Sequence, residues 1–390
     1  MTSAGIVIAG GGLAAQRAAE TLRRHGYDGA LTMLAAEPEL PYDRPPLSKR
    51  FLAGELDESE LRFRDDGWYA EREIDLRLGD PATQLDVAQR AVVLRSGRRV
   101  RFSRLLIATG SAPRRLPGTA GYDNVHELRT LADAHRLRAT VAPGSRVVVV
   151  GAGFIGQEVA STANRLGAEV TLVEALPAPL AGVLGTELGH WFARLHGEHG
   201  IDVRLSARIA RLHDARTVTA VDLDGGERIA CDSLVVGIGT VPATGWLDSS
   251  GLDDRGVPVD AACATAVPGV YAAGDASRPF DPHVGAHVRT EHWEAAARQG
   301  ATAARAMLGL ESPPAPPPSF WSDQHGIRIQ YLGHAYGADR IAVEGDPAAR
   351  DFTATFTRDG HPVGALLVGR PHALAAMRRR LTTTPEGNAA

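Results

Sequence analysis

Ile6-Val7-Ile8-Ala9-Gly10-Gly11-Gly12-Leu13-Ala14-Ala15 and, further along, Val147-Val148-Val149-Val150-Gly151-Ala152-Gly153-Phe154-Ile155-Gly156 are the stretches that decide the fold. Each is a short apolar run that ends in Gly-x-Gly-x-x-Gly/Ala and opens a helical pattern. Each is followed by a second strand running up to an acid: Leu31 to Ala35 before Glu37, and Glu169 to Val173 before Glu174. Both therefore read as complete βαβ units of the dinucleotide-binding kind. Gly10 or Gly151 permits the tight turn. Gly12 or Gly153 removes a Cβ so that backbone N–H groups can approach a pyrophosphate, and Ala15 or Gly156 lets helix and strand pack closely. The helix N-terminus, with Leu13 and Ala14 or Ile155 in its first turn, adds partial positive charge. Glu37 and Glu174 can each accept hydrogen bonds from the hydroxyls of an adenosine ribose. A protein that binds two dinucleotides usually moves electrons between them.

The surrounding sequence suits that reading. With 390 residues, 44% apolar and 23% charged, and a formal net charge of -4, the chain is long enough for two or three domains. Such a weak acidic balance gives no reason to expect nucleic acid or an anionic membrane as partner. No apolar run approaches the ~18 residues a membrane span needs, and no signal peptide is evident, so the expected location is cytoplasmic. The two cysteines, Cys231 and Cys263, form neither a CxxC nor a zinc pattern. His283, His287 and His292 lack metal-ligand spacing, and no metal site is expected.

Two further stretches have a strand-then-glycine form, 104–110 (Arg-Leu-Leu-Ile-Ala-Thr-Gly) and 233–239 (Ser-Leu-Val-Val-Gly-Ile-Gly), and Thr109 and Gly239 near their ends join the candidate cofactor-binding residues. Their recurrence implies an α/β protein with two Rossmann-like dinucleotide-binding domains, the second inserted in the first. The boundaries read as 1–111 with 240–318 for the first and 112–239 for the second. Pro313 to Pro318 is a stiff connector. Residues 319–390 form a small α+β C-terminal domain, since Ile327 to Tyr331 and Phe352 to Phe356 alternate as antiparallel strands do.

Three features carry candidate chemistry. Pro41-Tyr42-Asp43-Arg44-Pro45-Pro46-Leu47-Ser48-Lys49 is too rich in proline for a regular element and reads as a fixed loop; it holds Lys49, the only lysine of the chain. A rigid solvent loop and a functional loop are both open readings. Asp275 ends the strand-like Val270-Tyr271-Ala272-Ala273-Gly274, either at the dinucleotide crevice or as a helix N-cap. Glu158 follows the second fingerprint, where the helix dipole alone favours a glutamate by ~0.3–1 kcal/mol.

With these pieces in place, the chain resembles the NADH-dependent, FAD-containing ferredoxin and rubredoxin reductases of bacterial oxygenase systems. The carriers are the first fingerprint, PYDRPPLSK at 41–49, LLIATG at 105–110, GAGFIGQE at 151–158, GVYAAGD at 269–275, EHW at 291–293 with Gln299-Gly300, and FWSDQ at 320–324. The resemblance implies FAD in the first domain and NADH, as substrate, in the second. It places Ala14 and Glu37 at the adenosine part of FAD, Arg44 and Lys49 near its ring system, and Ala82, Arg129, Asp275 and Trp293 around the pocket. The resemblance further implies that Trp321 lines the face where electrons leave and that Glu158 pairs with Lys49 near the nicotinamide.

A nicotinamide gives up two electrons as hydride, an iron–sulfur protein accepts one at a time, and a flavin does both. The implied activity is electron transfer from NADH through FAD to a ferredoxin, or a rubredoxin, that supplies an oxygenase. Arg378 to Arg380 is a weaker candidate surface for the acidic partner. A disulfide reductase would need a cysteine in the loop after the first βαβ unit, and none is there. The alternatives are a general NADH:acceptor flavoenzyme and a flavin-dependent redox-signalling protein.

Overall fold

Successive residues of the strand Ile6–Ala9 face opposite ways, and that alternation builds the first unit. Ile6 and Ile8 pack with Ala15, Ala18, Leu22, Leu31, Met33, Ala303 and Met307. Val7 and Ala9 pack instead with Leu85, Val92, Leu105, Ile107, Leu247 and Val257. Both faces are covered, which is why the strands are almost continuously apolar. The sheet is parallel throughout, in the order Val270–Ala272, Arg104–Ile107, Ile6–Ala9, Leu31–Leu34, Ile74–Arg77. The helices Leu13–Arg24 and Trp293–Met307 cover one side, and a three-stranded antiparallel sheet from Ala82 to Arg101 contributes to the other.

A computed structural model describes residues 4–252, 255–281 and 285–382; of the three histidines considered above, His283 lies outside them. The chain divides into two compact units. The first comprises Met1–Asp43, Ser59–Ala112 and Val241–Pro318, and the second Arg44–Glu58, Pro113–Thr240 and Ser319–Ala390.

The second unit repeats the parallel motif, in the order Asp202–Arg204, Glu169–Val173, Arg146–Val150, Ser233–Val236, Val125–His126. The helix Phe154–Arg165 follows its central strand. The C-terminal segment adds a five-stranded antiparallel sheet, ordered Ser319–Gln324, Ile327–Gly333, His361–Val368, Asp351–Arg358, Arg340–Asp346. One face buries Ile329, Tyr331, Phe352, Phe356 and Leu366 against Leu188, Trp191, Phe192 and Leu195 of the helix Thr186–Glu198. On the other face Leu332, Ala365 and Leu367 are covered by Leu374, Met377 and Leu381 of the helix Leu374–Thr382.

The structure corrects one expectation. The proline-rich stretch is not wholly irregular, because Pro45–Ser48 forms a turn of 3-10 helix. Proline is tolerated at the first positions of a helical turn, where its missing N–H would have had no intrahelical partner and its fixed φ is already helical.

In the first unit the two long helices meet at a glycine. A Cβ on Gly300 would lie 2.1 Å from the carbonyl oxygen of Ala14. Gly300→Ala should therefore destabilise the protein by about 1–3 kcal/mol through overpacking, lowering Tm by roughly 2–4 °C per kcal/mol. An unchanged melting curve would show that the helices part without cost.

Candidate dinucleotide sites and a buried ion pair

In each parallel sheet the candidate residues gather at the carboxyl ends of the strands, where open α/β sheets bind ligands. In the first unit Gly10 follows Ile6–Ala9, Glu37 follows Leu31–Leu34, Thr109 follows Arg104–Ile107, and Asp275 follows Val270–Ala272. In the second, Gly151, Glu174 and Gly239 stand in the same relation to Arg146–Val150, Glu169–Val173 and Ser233–Val236.

The two fingerprint helices begin on glycine. Gly12 caps Leu13–Arg24 and Gly153 caps Phe154–Arg165, neither with a side-chain hydrogen bond and neither helix with an acid in its first turn. A Cβ on Gly12 or Gly153 would meet nothing within 4 Å. By contrast, the helix Leu131–Arg138 is closed by a complete capping box of Thr130 and Asp133. First-turn N–H groups left uncapped and facing open space suit a diphosphate, so the residues present fit both dinucleotides. Gly156 has the packing role assigned to it: its Cβ would lie 2.0 Å from the carbonyl oxygen of Gly151. Ile155, in the first turn of the second helix, is 44% exposed.

Around these loops the first unit is tied by side chains. The Tyr42 hydroxyl donates to Glu37 at 2.5 Å. Thr109 donates to the carbonyl of Ala243 at 2.7 Å. Asp275 is not an N-cap; it sits inside the 3-10 turn Gly274–Ala276, whose cap residue is Ala273, and accepts from Ser111 at 2.7 Å. Gln299 accepts from the Gly274 backbone at 2.7 Å and from Ser277 at 3.1 Å, which explains the Gln299-Gly300 pair as a brace for that turn. The Trp293 indole donates to Asp43 at 2.7 Å, and Ala82 opens the strand Ala82–Asp86.

In the second unit Glu174 accepts from the backbone N–H of Ala152 at 2.6 Å and of Leu176 at 2.8 Å. Each oxygen keeps a lone pair for a ribose hydroxyl. Arg44 donates to the carbonyl of Arg129 at 2.6 Å, joining two residues named from sequence. Gly239 has φ 99° and accepts from the backbone of Arg114 at 2.9 Å.

Lys49 and Glu158 do meet: Nζ lies 2.6 Å from Oε2, with the side chains 14% and 5% exposed. Lys49 also donates to the carbonyl of Pro45 at 3.1 Å, using the 3-10 turn as a brace. Sequence reasoning missed the other donors. Ser48 reaches Oε2 at 2.5 Å, and Ser322 reaches Oε1 at 2.6 Å. Because Ser322 spends its proton on Glu158, it accepts from Gln324 Nε2 at 3.1 Å. Trp321 is half-buried and by strand alternation points away from Ser322, with the Arg328 guanidinium 6.0 Å from its ring. Arg378 donates to Ser319 at 2.9 Å, while Arg379 and Arg380 are exposed.

Both thiols are buried and free, and burial pushes them up, Cys231 to about 11 and Cys263 to about 12. Among the described residues no cluster of His, Cys, Asp and Glu suits a metal, and no helix is long and apolar enough to cross a membrane.

Residues 4–300 match the pyridine nucleotide-disulphide oxidoreductase family, and residues 319–389 match a reductase C-terminal domain. The chain is 38% identical over 383 residues to the anthranilate 1,2-dioxygenase system ferredoxin–NAD(+) reductase component of Burkholderia cepacia, covering 97% of this chain and 94% of that protein. It is 35% identical over 388 residues to rhodocoxin reductase of Rhodococcus erythropolis, covering 98% and 91%. Among solved structures it matches the covalent putidaredoxin reductase–putidaredoxin complex with a TM-score of 0.95 at 31% identity, over 98% of this chain and 94% of the other.

Proposed function

The chain belongs to the pyridine nucleotide-disulphide oxidoreductase family, and from that premise we propose that it is an FAD-dependent NADH:ferredoxin oxidoreductase that supplies an oxygenase. FAD is assigned to the fold around Ile6–Ala9 and NADH to the fold around Arg146–Val150. The observation that carries this reading is the pair of glycine-headed helix termini, uncapped and open, in a chain whose two thiols are both buried. Two dinucleotides without a thiol relay leave an external acceptor as the electron's destination. Bound FAD supplies the two-electron to one-electron conversion. The same reading puts the enzyme in the cytoplasm, where cell fractionation should find it.

The chain's part is binding, orientation and charge. Backbone N–H groups at Gly12 and Leu13, and at Gly153 and Phe154, receive the pyrophosphates, while Glu37 and Glu174 take the riboses. Lys49 and Glu158 act as a pair in hydride transfer, the lysine favouring added negative charge and the carboxylate holding the lysine in place. Trp321 and its strand form part of the exit face.

Glu174 should enforce NADH over NADPH. Its carboxylate would repel a 2′-phosphate, and Arg204, whose backbone carbonyl accepts from the Glu174 N–H across the sheet, is committed to Asp202 and Glu227. Like-charge contact costs several kcal/mol, a preference on the order of 100-fold. Equal kcat/KM for the two coenzymes would refute the assignment, and Glu174→Arg should narrow the gap.

Lys49→Ala should slow reduction of the bound flavin by NADH in stopped flow by roughly 10- to 100-fold, the equivalent of one charge-assisted hydrogen bond, with FAD content retained. An unchanged rate would leave the pair a purely structural role.

Attraction of an acidic ferredoxin to the arginine-bearing surface is charge-steered. Raising ionic strength from 0.1 M to 1 M shortens the Debye length from ~10 Å to ~3 Å. Ferredoxin-dependent reduction of cytochrome c by NADH should fall much more steeply over that range than reduction of a small neutral acceptor. If both fall equally, or if no ferredoxin from the source organism stimulates electron flow, a general NADH:acceptor flavoenzyme is the better description.

A further inference from the structure

The hairpin joining Ser319–Gln324 to Ile327–Gly333 turns on only two residues, His325 and Gly326, with φ of 50° and 77°. Positive φ at both positions is the type I′ geometry, whose first place favours Asn or Asp. Histidine is also among the few non-glycine residues enriched at positive φ, and here its ring meets a buried partner.

That ring begins a chain of hydrogen bonds. His325 Nε2 lies 2.9 Å from Nδ1 of His196, which is fully buried in the helix Thr186–Glu198. His196 Nε2 lies 3.0 Å from Oε1 of Gln157, and Gln157 Nε2 donates to the carbonyl of Ala152 at 2.9 Å. Ala152 is the middle residue of the Gly151-Ala152-Gly153 turn, and its N–H is held by Glu174 at 2.6 Å. Its peptide groups are thus fixed on both sides.

The far end sets the direction of every bond. A carbonyl can only accept, so Gln157 donates there and accepts at Oε1. His196 must then carry its proton on Nε2 and accept at Nδ1, and His325 must donate from Nε2. Burial pushes both rings down, His196 to about 4 and His325 to about 3, so both remain neutral near pH 7. The charged or titratable neighbours of the chain are His199, stacked on His325 with centroids 3.9 Å apart, and Arg350, itself bonded to Glu198 at 3.1 Å. His325 is further anchored by its backbone N–H, which donates to Ser161 of the fingerprint helix at 2.7 Å.

We propose that His325, His196 and Gln157 are positioning residues for the second dinucleotide turn, fixing the Ala152 peptide so that the N–H groups beyond it are set in place before NADH arrives. The proposal rests on the reading of this fold as the NADH site. Its effect is preorganisation: order already present in the free protein need not be created on binding.

His325→Asn is the discriminating variant, because Asn suits the turn while ending the relay. Its Tm should fall by only a few degrees, from the unpaired His196 Nδ1 and the lost stack on His199. In FAD-loaded enzyme free of NADH, amide hydrogen exchange in the segment 151–157 should quicken about fivefold, as expected for loss of one net hydrogen bond, and KM for NADH should rise by a similar factor. The KM for the electron acceptor and kcat should hold. Should His325→Asn melt early, Gln157→Met gives the same two readouts with hairpin and imidazoles intact. Unchanged exchange at 151–157 overturns the relay. Faster exchange with an unchanged NADH KM supports the relay and overturns the assignment of NADH to this fold.

Discussion

A carboxylate taken out of water must be compensated, and the second unit is organised around the one at Glu158. The side chain is 5% exposed and accepts from three donors, Lys49, Ser48 and Ser322. They come from two separate stretches, Ser48 and Lys49 from the 3-10 turn after Arg44 and Ser322 from the first strand of the C-terminal sheet, converging on the fingerprint helix that carries Glu158. Removing one member of such a pair strands the other, at a cost of about 3–5 kcal/mol. This is why residues 44–58 and 319–390 belong with the second nucleotide fold: Thr162 of the same helix also donates to the Ser48 carbonyl at 2.8 Å, and Phe154 packs edge-on to Phe320 with centroids 4.6 Å apart.

The glycine-headed helices state the complementary constraint. Where the Leu131–Arg138 helix closes its N-terminus with Thr130 and Asp133, the two fingerprint helices leave theirs open. A glycine cap costs only a few tenths of a kcal/mol relative to a side-chain cap, and it leaves the first-turn N–H groups open to a bound diphosphate.

Both fingerprints, the strands around them, the acids at Glu37 and Glu174 and the antiparallel C-terminal sheet were legible in the sequence, because each is encoded by local periodicity or by glycine spacing. Ser48, Ser322 and Gln324 were not. Ser322 lies 164 positions from Glu158 and Ser48 lies 110, and no local pattern reveals which hydroxyl will meet which carboxylate. The same limit hid the relay, since His196 and His325 are 129 positions apart. The contact of Asp275 with Ser111 was hidden for the same reason, since the two lie 164 positions apart.

The family is named for disulfide chemistry, yet this chain has no thiol placed to perform it. A reactive cysteine needs a stabilised thiolate, and the surroundings of Cys231 and Cys263 do the reverse, since apolar burial raises both thiols well above the ordinary range. The loop after the first βαβ unit, where a redox cysteine would stand, instead carries Arg44 and Lys49, and their contacts are with a backbone carbonyl and a buried carboxylate. With no thiol to hold the electron pair, the reductant's two electrons have no covalent resting place in the protein, and a partner that takes them singly becomes the natural outlet.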